Sequence, residues 1–224
     1  MTRCGPFFEQ PAGSQAAIEI SASDVVLREC PTDAVFGCCL RATSSAVQLV
    51  DALYTNAGAL PTVDLLGSSL RVLGTSRLES AMQLSLFLVL GGNGSVVADP
   101  SVTLIGNVTT GVALVIAPQA LVRASGGQLG GVTQATLDGP AGQLGALFLG
   151  SLGPRQSVPG MVNQTWIAPG SFAAGPIGVF GPQLSASVPV PNVPGLLGQV
   201  FVWQGVVFGA TAGFSLSNPA LFTP

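Results

Sequence analysis

Residues 188–208, VPVPNVPGLLGQVFVWQGVVF, belong to a tail, residues 156–224, that contains no Asp, Glu, Lys or Arg. Proline fixes φ and removes a backbone donor, so a long helix cannot form across this stretch. Residues 199–208 place apolar side chains on both faces of an extended chain, which is typical of a strand covered on both sides. The tail therefore predicts short strands joined by rigid, proline-containing loops.

The same pattern recurs along the chain. Short runs rich in Val, Leu, Ile, Phe or Thr are bounded by Gly, Pro, Asn or Asp, which indicates strands. These runs are 16–27, 69–74, 82–90, 101–106, 111–117, 133–139, 145–152, 183–190, 199–208 and 214–218. No repeat of fixed period is evident, which disfavours a solenoid or propeller. We therefore expect an all-β fold, an antiparallel β-sandwich of the jelly-roll or Ig-like type, formed as one sandwich or as two β-rich halves.

At most one short helix is expected. Residues 44–58 can place apolar side chains on one helical face, although a β-strand explains the same stretch nearly as well. The glycine-rich run 124–131 is the best candidate boundary between domains. It separates a β-rich N-terminal region, 1–125, from a Pro-rich C-terminal sandwich domain, 126–224, that carries the uncharged tail.

The chain carries little charge. Charged residues are 8% of the composition and the formal net charge is −3, against roughly 25% charged residues in an ordinary domain. The seven arginines are scattered singly, so no basic face for nucleic acid is predicted. The two most apolar stretches, 81–92 and 101–122, are too short or too interrupted for a spanning helix, and no transmembrane helix is expected.

The four cysteines lie in the first forty residues. They are Cys4, Cys30, Cys38 and Cys39. Their spacing does not match a zinc site, and four cysteines allow three pairings. We predict one or two disulfides in segment 1–40, with Cys30 joined to Cys38 or Cys39 as the favoured pair and free buried thiols as the alternative.

Catalytic groups are scarce. The sequence has no His and no Lys, which excludes Ser-His-Asp triads, His-ligated metals, Schiff-base chemistry and Walker A loops. Paired carboxylates remain possible, but none of the ten acids stands in a recognisable motif. Asp138-Gly139 is typical of a turn, and Asp24, Glu29 and Asp33 are too dispersed for a calcium loop. We therefore predict no enzyme activity, no catalytic residues, no metal and no cofactor.

Trp166 and Trp203 are the candidates for a ligand platform, because sugars pack their apolar faces on aromatic rings. Core packing is the commoner role for two tryptophans in a chain of this size.

The C-terminal third carries a recognisable combination of motifs. GALFLGSLGP (145–154) is followed by VPVPNVPGLLGQVFVWQG (188–205) and then by LSN (216–218). This combination resembles a C-terminal all-β domain that recurs in secreted proteins of planctomycetes and related GC-rich bacteria, mostly of unknown function. The resemblance implies turn and packing roles, without chemistry, for Pro191, Asn192, Pro194, Gly198, Trp203, Gln204 and Asn218.

These observations predict a non-enzymatic structural or adhesive β-sandwich protein of a bacterium. The expected setting is extracellular or on the cell surface, although no signal peptide is visible at the start of the sequence. The expected partners are proteins, through self-assembly into a larger structure or through binding to other surface proteins, because an uncharged β surface suits protein packing. A carbohydrate-binding or carboxylate-only glycan-hydrolysing domain is the alternative, with glycans as partners.

Overall fold

A computed structural model describes residues 2–3, 16–80, 88–108, 111–117, 119–181, 183–209 and 213–224. The chain divides into two compact units, residues 1–117 and 118–224. Both consist of strands, and a 3₁₀ helix covers Pro194–Leu196. No helix among the described residues is long and apolar enough to cross a membrane.

The first unit is a parallel β-solenoid, in which successive turns of the chain stack on one another. Each of four turns contributes one strand to each of three sheets, and a partial fifth turn follows. The strands are β1 Thr2–Arg3, β2 Ala16–Ser21, β3 Asp24–Arg28, β4 Pro31–Ala34, β5 Cys38–Thr43, β6 Ala46–Val50, β7 Leu53–Asn56, β8 Val63–Leu66, β9 Ser69–Leu73, β10 Arg77–Ser80, β11 Leu88–Gly92, β12 Ser95–Ala98, β13 Thr103–Ile105, β14 Asn107–Val108 and β15 Ala113–Ile116. The sheets have the orders β1-β3-β6-β9-β12-β15, β13-β10-β7-β4 and β14-β11-β8-β5-β2.

The predicted antiparallel sandwich is therefore wrong, and so is the argument that disfavoured a solenoid. The turns have unequal lengths, which hides the repeat in the sequence. Corner hydrogen bonds join Ser23 to Ser45, 22 residues apart, and Ser45 to Ser68, 23 residues apart. One turn later, the bond from Gly67 to Asn93 spans 26 residues.

The interior of the solenoid is a ladder of aliphatic side chains. Leu27, Leu49, Val72 and Ala98 occupy the same place in four successive turns and pair in register. All four are buried, and they belong to one continuous core. Burying a Val or Leu side chain contributes about 1.5–3 kcal/mol, so each turn stabilises the next mainly through these contacts.

The corners of the coil depend on residues in the left-handed backbone region. At the corner between the third and the first sheet, φ is 45° for Ala22, 47° for Ser44 and 59° for Gly67. At the next corner, Glu29, Asp51 and Gly74 have φ of 50°, 52° and 67°. A non-glycine residue in this region is uncommon, so these corners are held by the stacked turns on either side.

Serines reinforce the first corner. Ser23 N donates to Ser45 Oγ at 3.2 Å, and Ser45 N donates to Ser68 Oγ at 3.1 Å. The hydroxyl of Ser45 also donates to Thr43 O at 2.8 Å. Each serine thus satisfies backbone groups that the corner would otherwise leave without partners.

Of the two structures that the sequence allows for residues 44–58, the helix is wrong and the β-strand is confirmed. The stretch forms β6 and β7, separated by the left-handed corner at Asp51. Val47 and Leu49 alternate into the core with a period of two, and Tyr54 is buried in the next strand.

The predicted disulfide from Cys30 to Cys38 or Cys39 is wrong. Cys38 and Cys39 are thiols with no exposed surface, whereas Cys30 is disulfide-bonded, so neither of them is the partner of Cys30. Cys39 Sγ donates to Thr55 O at 3.2 Å, and burial raises the pKa of Cys38 to about 11 and that of Cys39 to about 12. Cys4 lies outside the described residues.

The second unit is antiparallel apart from one short parallel pair. Its strands are β16 Leu121–Gly126, β17 Val132–Asp138, β18 Leu144–Ser157, β19 Met161–Val162, β20 Gln164–Ile167, β21 Ala173–Val179, β22 Leu184–Pro189, β23 Phe201–Gly209, β24 Gly213–Leu216 and β25 Ala220–Phe222. One sheet has the order β16-β17-β22; the other has the order β19-β24-β23-β18-β20, with β21 on β18 and β25 on β23. The glycine-rich run 124–131, where a domain boundary is predicted, spans the connection from β16 to β17 inside this unit.

Ser45→Ala tests the corner serines. The substitution leaves Ser23 N without its acceptor, so we expect the free energy of unfolding of the solenoid to fall by about 1–2 kcal/mol. Ser69→Ala is the matched control, because Ser69 lies exposed on β9. Urea unfolding followed by circular dichroism measures both, and equal losses in the two variants would contradict the role of the corner hydroxyl.

Candidate functional site: an uncharged groove in the second unit

A groove of about 390 Å³ opens in the second unit. The first half of β18 pairs with β23 along one edge, whereas along its other edge β18 pairs first with β21 and then with β20, so this edge changes partner along its length. The switch requires glycine, because a Cβ on Gly150 would lie 2.4 Å from Ile167 Cγ2 and one on Gly153 would lie 2.6 Å from Ala168 Cα. The groove lies where β18, β20 and β23 meet the pair formed by β19 and β24.

The groove is lined by apolar and neutral side chains. The lining residues are Phe148, Gln156, Val158, Met161, Thr165, Ile167, Ala168, Pro169, Phe172, Gln204, Val206 and Leu216. Phe148 and Phe172 form an edge-to-face pair with ring centroids 6.1 Å apart, and Phe172 is 60% exposed. None of these residues can ionise, so the groove offers dispersion contacts and neutral hydrogen bonds only.

The buried side chain of Gln204 ties the strands around the groove together. Its Oε1 accepts from Trp166 N at 3.0 Å and from Thr165 Oγ1 at 3.2 Å. Its Nε2 donates to Gln164 O at 2.8 Å and to Ser217 O at 3.1 Å. The carboxamide thus makes its full complement of four hydrogen bonds, which fixes β20 and the end of β24 against β23.

Like the carboxamide of Gln204, which we call a clamp because it joins neighbouring strands, the side chain of Asn218 also forms a clamp. Its Oδ1 accepts from Val122 N at 2.8 Å, and its Nδ2 donates to Val122 O at 2.9 Å, so the side chain copies the pairing of a strand.

The two tryptophans occupy different environments. Trp203 has no exposed surface, and its Nε1 donates to Thr133 Oγ1 at 3.0 Å across the two sheets. It presents no face to a ligand in this structure, whereas Trp166 is half-buried.

The remaining predicted turn residues lie together on the surface. Pro191, Asn192 and Pro194 are exposed and lead into the 3₁₀ helix, and Gly198 follows that helix with φ of 77°. Pro191 also lines a second apolar groove, of about 370 Å³, together with Phe201 and Phe222.

The described groups with shifted pKa values lie in the solenoid. Burial raises the pKa of Tyr54 and lowers that of Arg71 to about 10. No group of three or more potential metal ligands occurs among the described residues. Asp138, at the predicted turn, ends β17 and pairs with Arg123 on β16.

No family model matches the sequence, and no curated protein matches it either. The resemblance of the C-terminal third to secreted proteins stays a prediction.

Sequence reasoning missed the groove, although it placed Phe148 in a predicted strand. Met161, Thr165 and Phe172 lie in stretches without a strong strand pattern, and only the folded chain brings them beside β23. A usable signal was the absence of charge from residue 156 onward, which is where most of the lining residues lie.

Gln204→Glu tests the clamp beneath the groove. The new carboxylate would face two carbonyl oxygens, so we expect its pKa to rise above the unfolded value of about 4.3. Stability should therefore be highest below that pH and fall as the pH rises, with a loss of about 3 kcal/mol at neutral pH.

Tryptophan fluorescence during urea unfolding measures the effect, because both tryptophans lie in the second unit. Gln134→Glu, on the exposed face of β17, is the matched control. A Gln204→Glu variant whose stability does not depend on pH more steeply than that of Gln134→Glu would refute the role of the clamp.

Proposed function

We propose that this chain is a non-enzymatic structural or adhesive protein whose second unit binds a neutral, apolar protein surface. The observation that carries the proposal is the groove lined by twelve residues without an ionisable group, nearly all of them in an uncharged tail. Burial of a charge in such a groove would cost its hydration with no counter-charge in return, so the groove selects against charged partners.

Phe172 is the proposed anchor for the partner. It is 60% exposed at the rim and is backed by Phe148, so a partner side chain can cover it without repacking of the core. Aromatic residues of this kind dominate binding energy at protein interfaces. Apolar contact contributes about 25 cal/mol for each Å² removed from water, and the groove offers little else.

We further propose that the partner is a second copy of the chain, in an assembly of many copies. Large apolar side chains are exposed elsewhere on the second unit, and residues of this kind tend to be covered in assemblies. They include Val162, Ile177, Val179, Leu197 and Phe214. Low charge supports this version, because copies of the chain repel one another weakly.

An extracellular or cell-surface location completes the proposal. It is supported by the resemblance of the C-terminal third to secreted bacterial proteins. The glycan-binding alternative is supported by Trp166 alone, since Trp203 is buried and the groove contains no carboxylate.

Phe172→Ser tests self-association through the groove. Light scattering coupled to size-exclusion chromatography, over a range of concentrations, should show an oligomer that grows with concentration in the parent chain. Loss of the anchor should weaken self-association by about 2 kcal/mol, roughly thirtyfold. Phe36→Ser is the matched control, because Phe36 is 81% exposed, lies in the first unit and does not line the groove.

Two outcomes would count against the proposal. One is an oligomer that survives Phe172→Ser or is weakened equally by Phe36→Ser. The other is a parent chain that stays monomeric at every concentration. Glycan binding by such a monomer, abolished by Trp166→Ala, would establish the alternative.

A further inference from the structure

The corner between β11 and β12 combines three features that bear on the chemistry of Asn93. The chain has six asparagines, and only Asn93 is followed by glycine. Asn93 is exposed at the end of β11, while its side chain reaches the preceding turn of the solenoid. The other asparagines are Asn56, Asn107, Asn163, Asn192 and Asn218.

The side-chain carbonyl of Asn93 ends a ladder of hydrogen bonds. In earlier turns, Ala22 N donates to Thr43 O and Ser44 N donates to Leu66 O. At the next position, Gly67 N donates at 2.7 Å to the side-chain Oδ1 of Asn93. The amide of Asn93 therefore replaces a main-chain acceptor, and its carbonyl is polarised by a fixed backbone N–H.

Gly94 lies between two anchored neighbours. Asn93 N donates to Leu65 O at 2.8 Å, and Ser95 N donates to Ser68 O at 3.0 Å. The N–H of Gly94 makes no hydrogen bond among the described residues. A Cβ on Gly94 would lie 2.5 Å from Ser68 O, so this corner requires glycine, the residue that least hinders the nitrogen.

We propose that Asn93-Gly94 is a self-modifying site that deamidates in the folded chain. Gly94 N forms a bond to Cγ of Asn93, its proton passes through water to the departing nitrogen, and the Cγ–Nδ2 bond breaks to release ammonia. Water then opens the cyclic imide at one of its two carbonyls, which gives aspartate or isoaspartate. No oxidant, reductant or other co-reactant is needed.

The hydrogen bond from Gly67 N to Asn93 Oδ1 is the reason that we expect deamidation to be faster in the folded chain than in the unfolded chain. Negative charge develops on Oδ1 as the nitrogen attacks, and a donor 2.7 Å from that oxygen is placed as in an oxyanion hole. The aspartate product keeps an acceptor for Gly67 and adds one negative charge. The isoaspartate product lengthens the backbone by one carbon and loosens the corner between two turns.

The test compares deamidation at Asn93 in the native full chain and in the same chain unfolded in urea, at one mildly alkaline pH. Mass spectrometry of the peptide between Arg77 and Arg123 follows Asn93, with exposed Asn107 in the same peptide as internal comparison. Isoaspartyl methyltransferase labelling detects the isoaspartate. Asn93→Gln is the blank, because glutamine cyclises far more slowly.

One positioned donor is worth about 10²–10³ in enzymes, so we expect Asn93 to deamidate at least about tenfold faster in the native chain than in urea. Asn107 should show no such acceleration. A native rate equal to or below the unfolded rate would overturn the proposal, because the corner would then shield Asn93 rather than activate it.

Discussion

Every turn of the solenoid must place its side chains directly over those of the turn before it. Leu49 lies over Leu27, and Val72 over Leu49, because parallel strands pair residue for residue. The corners obey the same requirement: Ser44 and Gly67 adopt left-handed backbone at equivalent positions, and the serine hydroxyls join one corner to the next. The sequence between corners is free to vary in length, provided that the chain returns to this register.

The strands of the second unit must be held together without ion pairs along most of its length, because residues 156–224 contain no charged side chain. Side-chain amides take that role. Gln204 makes four hydrogen bonds to neighbouring strands, and Asn218 copies a strand pairing with Val122. Since these neutral groups are satisfied internally, the surface beside them can remain apolar, which leaves the groove around Phe148 and Phe172 suited to a neutral partner.

Much of the secondary structure could be predicted from the sequence. The runs 69–74 and 133–139 nearly coincide with β9 and β17, because alternation and glycine or proline punctuation are local signals. The solenoid could not be predicted this way, since its turns differ in length and parallel pairing depends on residues more than twenty positions apart. The helix predicted over 44–58 failed because the backbone at Asp51 turns a corner. The groove was missed because its walls come from separate strands, whereas Gln204 was singled out by a resemblance and not by its hydrogen bonds.

In-register parallel stacking is the central claim, and engineered cysteine pairs test it most directly. Ser69 and Ser95 pair in register on β9 and β12, and both are exposed, so their Cα atoms should lie about 4.8 Å apart, within disulfide reach. Ser69→Cys with Ser95→Cys should therefore cross-link on mild oxidation. Ser69→Cys with Val97→Cys, offset by two residues to about 8 Å, should not. A chain in which the first pair fails to cross-link, or in which both pairs do so equally, would contradict the solenoid and the account built on it.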